Sequence, residues 1–240
     1  MTFEECYQRF LPTSRILEVG CGWGDAAARM SRLAPAGQVV AVDISHQGVM
    51  DARLRYPNEN HPNLRFLQAD ARTMKLGEDP FDFVVSRNCL HFLQHPGHAF
   101  RAIARNLKVG GSMHVWCMGE GNANEINRVL LQLITRSQWK GYFLRFSPAP
   151  AFASPQSCDP WLTTARLKRN YSLLIEQETR FPYLGSFLHW LAAGWSEYFE
   201  PVPWNKRAQF ANDFVAEYCA SPTGPFLSKA VWLVVDATKF

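Results

Sequence analysis

The stretch Ile16-Leu-Glu-Val-Gly20-Cys-Gly22-Trp-Gly24-Asp25 decides the fold. A short apolar run carries Glu18 and breaks into glycines at alternate positions, after which Asp25 to Leu33 has helical character. Glycines at such a turn let the backbone approach a ligand closely at the carboxyl edge of a sheet, where the next helix presents unpaired N–H groups. Further on, Gln38-Val-Val-Ala-Val42 predicts a second buried strand that ends in Asp43, followed by Ile44. An acidic side chain at that place accepts both hydroxyls of a ribose. A tight turn without a ligand is the plain alternative for the glycines, and a helix cap is the alternative for Asp43, although Ser45 is available for capping.

The spacing also chooses among ligands. Dinucleotide binding asks for Gly-x-Gly-x-x-Gly, whereas Asp25 stands three residues after Gly22 and would face a pyrophosphate. S-adenosylmethionine has no phosphate and carries a sulfonium and an ammonium, so it suits Glu18-x-Gly20-x-Gly22-x-Gly24.

Working outward, Arg15 to Val19 is the first predicted strand, with one short helix before it over Thr2 to Leu11. Ser45 is positioned to cap a helix over His46 to Tyr56. Strands are expected at Asn63 to Gln68, Phe81 to Ser86 and Ser112 to Met118, with a helix over Gly97 to Leu107 and a turn at Lys108-Val-Gly-Gly111. This alternation predicts a parallel sheet with helices on both faces. From Gly119 to Lys168 the pattern is helical, with a Pro- and Ser-rich break over Ser147 to Pro160. Tyr171 to Thr179 reads as a sixth strand, Tyr183 to Phe199 and Lys206 to Cys219 as helices, and Ala230 to Asp236 as a last strand.

With 240 residues the expectation is one domain, a cofactor-binding half over 1–118 and a substrate-side half over 119–240. The net charge of +4 comes without a long basic run, which disfavours a nucleic-acid partner. Cys6, Cys21, Cys89, Cys117, Cys158 and Cys219 are dispersed, which argues against a zinc site and a disulfide framework. The opening residues lack a basic and then apolar leader, and no run is long enough to span a bilayer. A cytoplasmic protein without a membrane partner is expected; the oligomeric state is left open.

The glycine loop, Asp43, Leu67-Gln-Ala-Asp70-Ala71, Phe81-Asp-Phe-Val-Val-Ser86 and Lys108-Val-Gly-Gly111 together resemble the class I S-adenosylmethionine-dependent methyltransferases. The resemblance implies a Rossmann-like sheet of seven strands, mostly parallel, with an antiparallel last strand inserted between the fifth and sixth and a helical insertion after strand five. It also implies a cofactor set of Glu18, Gly20, Gly22, Gly24, Asp43, Ile44, Asp70, Ala71 and Ser86, in which Asp70 receives the adenine amino group and the next N–H a ring nitrogen. Asp70 has a plainer alternative as a cap for Ala71 to Lys75. More narrowly, Asn88-Cys-Leu-His91-Phe92 with the helical insertion resembles the trans-aconitate and juvenile-hormone acid methyltransferase group, many of which methylate carboxylates.

The expected reaction is methyl transfer to a small organic acceptor, with rivals in a macromolecular methyltransferase and a non-catalytic binding module. Ser86-Arg-Asn-Cys89 stands where Asn/Asp-Pro-Pro-Tyr/Phe would mark methylation of base or amide nitrogens. His91 is the candidate base or substrate hydrogen-bonder, weighed against a half-buried packing role. Arg87 and Arg145 are candidates for an acidic acceptor. Trp116 and Trp139 are candidate pocket walls among aromatics otherwise expected to form a helical core.

Overall fold

The computed structural model describes residues 3–77, 79–147, 152–218 and 227–240. Helix α1 (Phe3–Tyr7) precedes strand β1 (Arg15–Val19), helix α2 (Asp25–Leu33), β2 (Gln38–Asp43), α3 (His46–Arg55), β3 (Leu64–Gln68) and β4 (Phe81–Arg87). After them come α4 (Pro96–Asn106), β5 (Leu107–Met118), α5 (Asn124–Leu133), α6 (Asp159–Thr164), β6 (Leu167–Arg180), α7 (Leu184–Gly194), α8 (Ser196–Phe199), α9 (Trp204–Tyr218) and β7 (Leu227–Lys239). The seven strands run in the order β3-β2-β1-β4-β5-β7-β6. β1 to β5 pair in parallel, and β7 runs antiparallel to β5, with Met118 opposite Trp232. The expected α/β architecture and the insertion of β7 between β5 and β6 are therefore both present.

Two faces of the sheet are buried because the strands are apolar on both sides. Ile16, Val39 and Ala41 pack with Tyr7 of α1, with Ala28 and Met30 of α2 and with Val49 of α3. Their neighbours Leu17, Val40 and Val42 point the other way, toward Phe100 and Ile103 of α4 and Leu162 of α6. A period of two thus feeds two separate cores from one strand.

By its internal contacts the chain divides into two compact units. One comprises residues 1–120, 152–175 and 232–240; the other comprises 121–151 and 176–231. A division at 118/119 is not what this partition follows, because 152–175 and 232–240 belong to the sheet unit. The second unit has a core of its own, in which Ile126 and Leu130 of α5 meet Phe187 of α7 and Phe210 and Phe214 of α9.

Several boundaries differ from the sequence reading. β5 begins at Leu107, and its register to β4 shifts between Phe81 and Phe83, so Lys108-Val-Gly-Gly111 is an irregular stretch inside the strand, with Gly110 at φ 79°. Lys108 pairs there with Asp82. The segment after Asp70 is a turn rather than a helix, and the helix read over Tyr183 to Phe199 is broken at Trp195. Cys219, read as the end of the last helix, lies outside the described residues. Among the described residues no helix is long and apolar enough to cross a membrane.

Candidate cofactor cradle

The glycine loop is fastened to β2 before any ligand arrives. Gly20 and Cys21 both donate their backbone N–H to the Val42 carbonyl, at 2.8 and 3.0 Å. Gly22 donates to Oδ2 of Asp43 at 2.9 Å, and Ser45 donates its backbone N–H to Oδ1 at 2.9 Å. Each carboxylate oxygen accepts one backbone bond and keeps capacity for another, so Asp43 is oriented and still able to receive a pair of hydroxyls. Ser45 does cap α3, accepting from the Gly48 N–H at 3.0 Å, and the capping alternative for Asp43 reduces to that one bond from Ser45. Ile44, 62% exposed, stands beside this carboxylate at the open edge.

The three glycines serve different needs. All adopt left-handed backbone, with φ of 81° at Gly20, 51° at Gly22 and 85° at Gly24. A side chain at Gly20 would overlap Cys89, and one at Gly24 would stand 2.6 Å from the Phe66 ring. Those two positions are required by packing within the protein. At Gly22 no atom lies within 4 Å of where a Cβ would be, and the loop opens there to free space. Gly22 is therefore the glycine whose bareness leaves room for a ligand.

Glu18 lies in the wall of this cradle and is 3% exposed. One carboxyl oxygen accepts the Ala27 N–H in the first turn of α2, while Oε2 has no hydrogen-bond partner. Burial first, and then the charges of Asp43 and Asp25, push its carboxyl up to about 8, against the lowering effects of the Ala27 N–H and of Arg87. A buried acceptor left unpaired is costly, and a cationic group satisfies it. Asp25 itself accepts the Tyr56 hydroxyl at 2.6 Å and meets Arg55 at 3.3 Å.

Asp70 follows β3 and is committed locally. Its Oδ1 accepts the Arg72 backbone N–H at 2.8 Å, and the Arg72 guanidinium reaches Oδ2 at 2.6 Å. The Arg72 side chain, foremost, and its backbone N–H hold this carboxyl below the usual range. The helix that Asp70 was expected to cap is absent, and its carboxylate instead closes a turn in which Ala71 is half-buried. Ser86 is also used internally: it is 1% exposed and its hydroxyl donates to the Val19 carbonyl at 2.8 Å, clipping β4 to β1. Its hydroxyl is no ligand for a cofactor in this arrangement, a correction that follows from its burial between strands.

Beyond β4 the chain turns sharply, with Asn88 at φ 53° and its N–H donating to the Trp116 carbonyl at 2.7 Å. This turn seats Cys89 over Gly20 and puts a single 3-10 turn, residues 90–92, beside the loop. His91 is half-buried there, and its Nδ1 faces the Met118 N–H at 3.5 Å. Desolvation lowers the imidazole to about 4. A ring that accepts at Nδ1 while neutral carries its proton on Nε2, so His91 is arranged as a donor and is a weak base. Arg87 is exposed at the end of β4, in register with Trp116.

The aromatic candidates part company. Trp116 is 8% exposed, 6.0 Å from Trp232 between ring centres, and belongs to the sheet core just below the edge. Trp139 is 1% exposed in the helical unit, its indole N–H donating to Asp213 at 2.9 Å and its ring edge-on to Phe210. Trp139 is a core residue and walls no pocket, because the apolar faces of α5 and α9 enclose it. Arg145 is exposed on that same helical unit, whereas Arg87 belongs to the sheet unit. Trp23 in the loop and Phe92 beside His91 are 64% and 75% exposed.

Residues 16–111 match the family model described as a methyltransferase domain. Over 121 residues the chain is 29% identical to the malonyl-[acyl-carrier protein] O-methyltransferase of Paenibacillus sp. (strain JDR-2), covering 50% of this chain and 44% of that protein. Over 104 residues it is 36% identical to the ubiquinone/menaquinone biosynthesis C-methyltransferase of Pseudomonas entomophila (strain L48), covering 42% of this chain and 41% of that protein. The chain thus spans less than half the length of these curated relatives. The solved structure of Haemonchus contortus phosphoethanolamine N-methyltransferase 2, in complex with phosphomonomethylethanolamine and S-adenosylhomocysteine, superposes with a TM-score of 0.60 at 16% identity. That likeness covers 98% of this chain and 51% of the other, and it shows the fold. The orphaned Glu18 oxygen, the open space at Gly22 and the oriented Asp43 fit a ligand with a cation and a ribose. Residues 16–111 are thus similar to a methyltransferase domain, and the residues of the cradle fit S-adenosylmethionine as its cofactor.

Proposed function

We propose that this chain transfers the methyl group of S-adenosylmethionine to a small organic acceptor, as one methyltransferase domain carrying a helical unit. The observation that carries the reading is the cradle of Gly22, Asp43 and Glu18, built and oriented by backbone bonds. The bound cofactor supplies an electrophilic methyl on a sulfonium, whose charge disperses as the acceptor attacks in line. What the chain must provide is alignment and exclusion of water.

A carboxylate is the acceptor class we favour. His91, lowered to about 4, removes protons poorly at neutral pH, and a carboxylate needs no base. Arg87 stands exposed at the edge next to the His91 turn and has the fork geometry for an acid. The name of the Paenibacillus relative, an O-methyltransferase of a malonyl group, agrees with an acidic acceptor. The lack of a long basic run in the sequence supports a small acceptor over a nucleic acid.

The test is turnover against matched libraries of acids, phenols and amines, with products identified by mass spectrometry. Methyl esters of acids are expected, with Arg87→Ala raising KM at little change in kcat. Turnover confined to phenols or amines would contradict the acceptor class.

A further inference from the structure

The helical unit carries a cavity that methyl transfer at the cradle does not use. It opens among α7, α8 and α9, measures about 450 Å³ and is lined entirely by residues of the second compact unit. Small-molecule sites occupy roughly 300–1,000 Å³, so its size suits a compact organic ligand. The more buried part of the lining is apolar: Phe199 is 8% exposed, and Leu188 and Ala211 are half-buried.

Arg207 gives this cavity a chemical preference. Its Nε donates to the Val202 carbonyl at 3.0 Å and its Nη2 to the Glu200 carbonyl at 3.3 Å, so the chain that follows α8 fixes the guanidinium. Among the described residues no carboxylate pairs with Arg207, and Nη1 keeps its hydrogens for another acceptor. Beside it lies the Trp204 ring, 83% exposed, with its centre 5.6 Å from the guanidinium carbon. An indole left in water next to an apolar hollow offers a flat surface for a ligand to cover. A guanidinium that is already ordered takes up a carboxylate without losing much rotamer freedom of its own. Glu200 and His189 also line the cavity and are exposed. A second negative charge on the ligand would meet Glu200, which favours a single carboxylate.

We propose that this cavity binds an apolar monocarboxylate, a small organic acid whose carboxylate is held by the free hydrogens of Arg207 and whose ring or short chain covers Leu188, Phe199 and Trp204. The site stands apart from the cofactor reading, because none of its residues belongs to the sheet unit.

The probe is phenylacetate, with phenylacetamide as its neutral counterpart, titrated into the full chain isotopically labelled at the tryptophan nitrogens. Indole N–H resonances report binding, and Trp204→Phe identifies the signal of Trp204. Phenylacetate is expected to shift that signal saturably, with a Kd of about 1 mM or tighter. Phenylacetamide should bind at least about tenfold more weakly, because the charged acceptor is lost. Arg207→Gln should weaken phenylacetate to the level of the amide. Since that change also removes the bonds to Val202 and Glu200, Ala192→Phe gives a second reading: it fills the cavity from an exposed wall while Arg207 stays in place. It should abolish the shift at an unchanged melting temperature. Absence of any saturable shift at Trp204, equal binding of acid and amide, or normal binding by folded Arg207→Gln or Ala192→Phe chains overturns the proposal.

Discussion

The backbone N–H of Gly22 donates to Oδ2 of Asp43 at 2.9 Å, which locks the loop after β1 to the end of β2 across two adjacent strands. The carboxylate that is to receive the ribose is thereby part of the framework that shapes the loop. Asp43→Ala removes that bond and the one from Ser45 together, leaving two backbone donors to rearrange. We expect S-adenosylhomocysteine affinity to fall at least about tenfold, since bonds to a charged acceptor contribute about 1.5–3 kcal/mol each. Calorimetry on a folded Asp43→Ala sample checks this, and unchanged affinity would remove Asp43 from the site.

Glu18 makes the empty protein pH-sensitive in a direction that can be worked out. Its carboxyl is raised above the ordinary value, so the folded chain holds a proton that the unfolded chain has lost. Stability from this group is full below the unfolded value of about 4.5 and declines as pH rises toward about 8. Glu18→Gln, which keeps an acceptor for the Ala27 N–H, should match wild type near pH 4.5 and become more stable by a few kcal/mol, in order of magnitude, near pH 8.5. Thermal melts of both proteins across that range give the comparison, and parallel curves would contradict the burial argument.

For His91 the expected behaviour follows from its lowered imidazole and its Nδ1 contact with Met118. The rate should show no inflection at the usual imidazole value of about 6.5. His91→Ala should retain turnover of acids, within about tenfold, because a donor is lost and no base is. A pH profile that loses an inflection near 6.5 in the variant would restore the role of general base.

In the helical unit, Trp139 has the burial and the indole bond of a core anchor. Trp139→Ala should cost about 3–5 kcal/mol of that unit's stability. Trp139→Phe should cost less and leave KM for the acceptor unchanged. Steady-state kinetics on the Phe variant distinguish this from a pocket role, for which KM would rise.

Much of the sheet unit is legible in the sequence because its rules are local. Alternating glycines, Asp43 at a strand end and Ser45 as a cap each follow from backbone geometry within a few residues, and each is found where those rules put it. The place of β7 between β5 and β6 follows from the family resemblance and not from any local rule. The side-chain assignments at Ser86, Asp70 and Trp139 depend on partners distant in the chain or on a competing neighbour. Ser86 finds the Val19 carbonyl, Asp70 is captured by Arg72, and Trp139 meets Asp213 on a helix 74 positions away. Hydroxyl and indole have the right chemistry for a ligand, and packing spends it elsewhere, whereas Asp70 carries an exposed ion pair with its neighbour Arg72. The donor state of His91 is of the same kind, since only the fold brings the Met118 N–H to Nδ1.

The central claim is that the cradle at Gly22, Asp43 and Glu18 takes S-adenosylmethionine and not a dinucleotide. Its most direct test is equilibrium titration of the purified chain with S-adenosylhomocysteine and, separately, with NAD. One-to-one binding of S-adenosylhomocysteine with a Kd of roughly micromolar order, near −8 kcal/mol, and no measurable binding of NAD is the predicted result. Binding of NAD, or no binding of S-adenosylhomocysteine by the folded chain, would contradict the account.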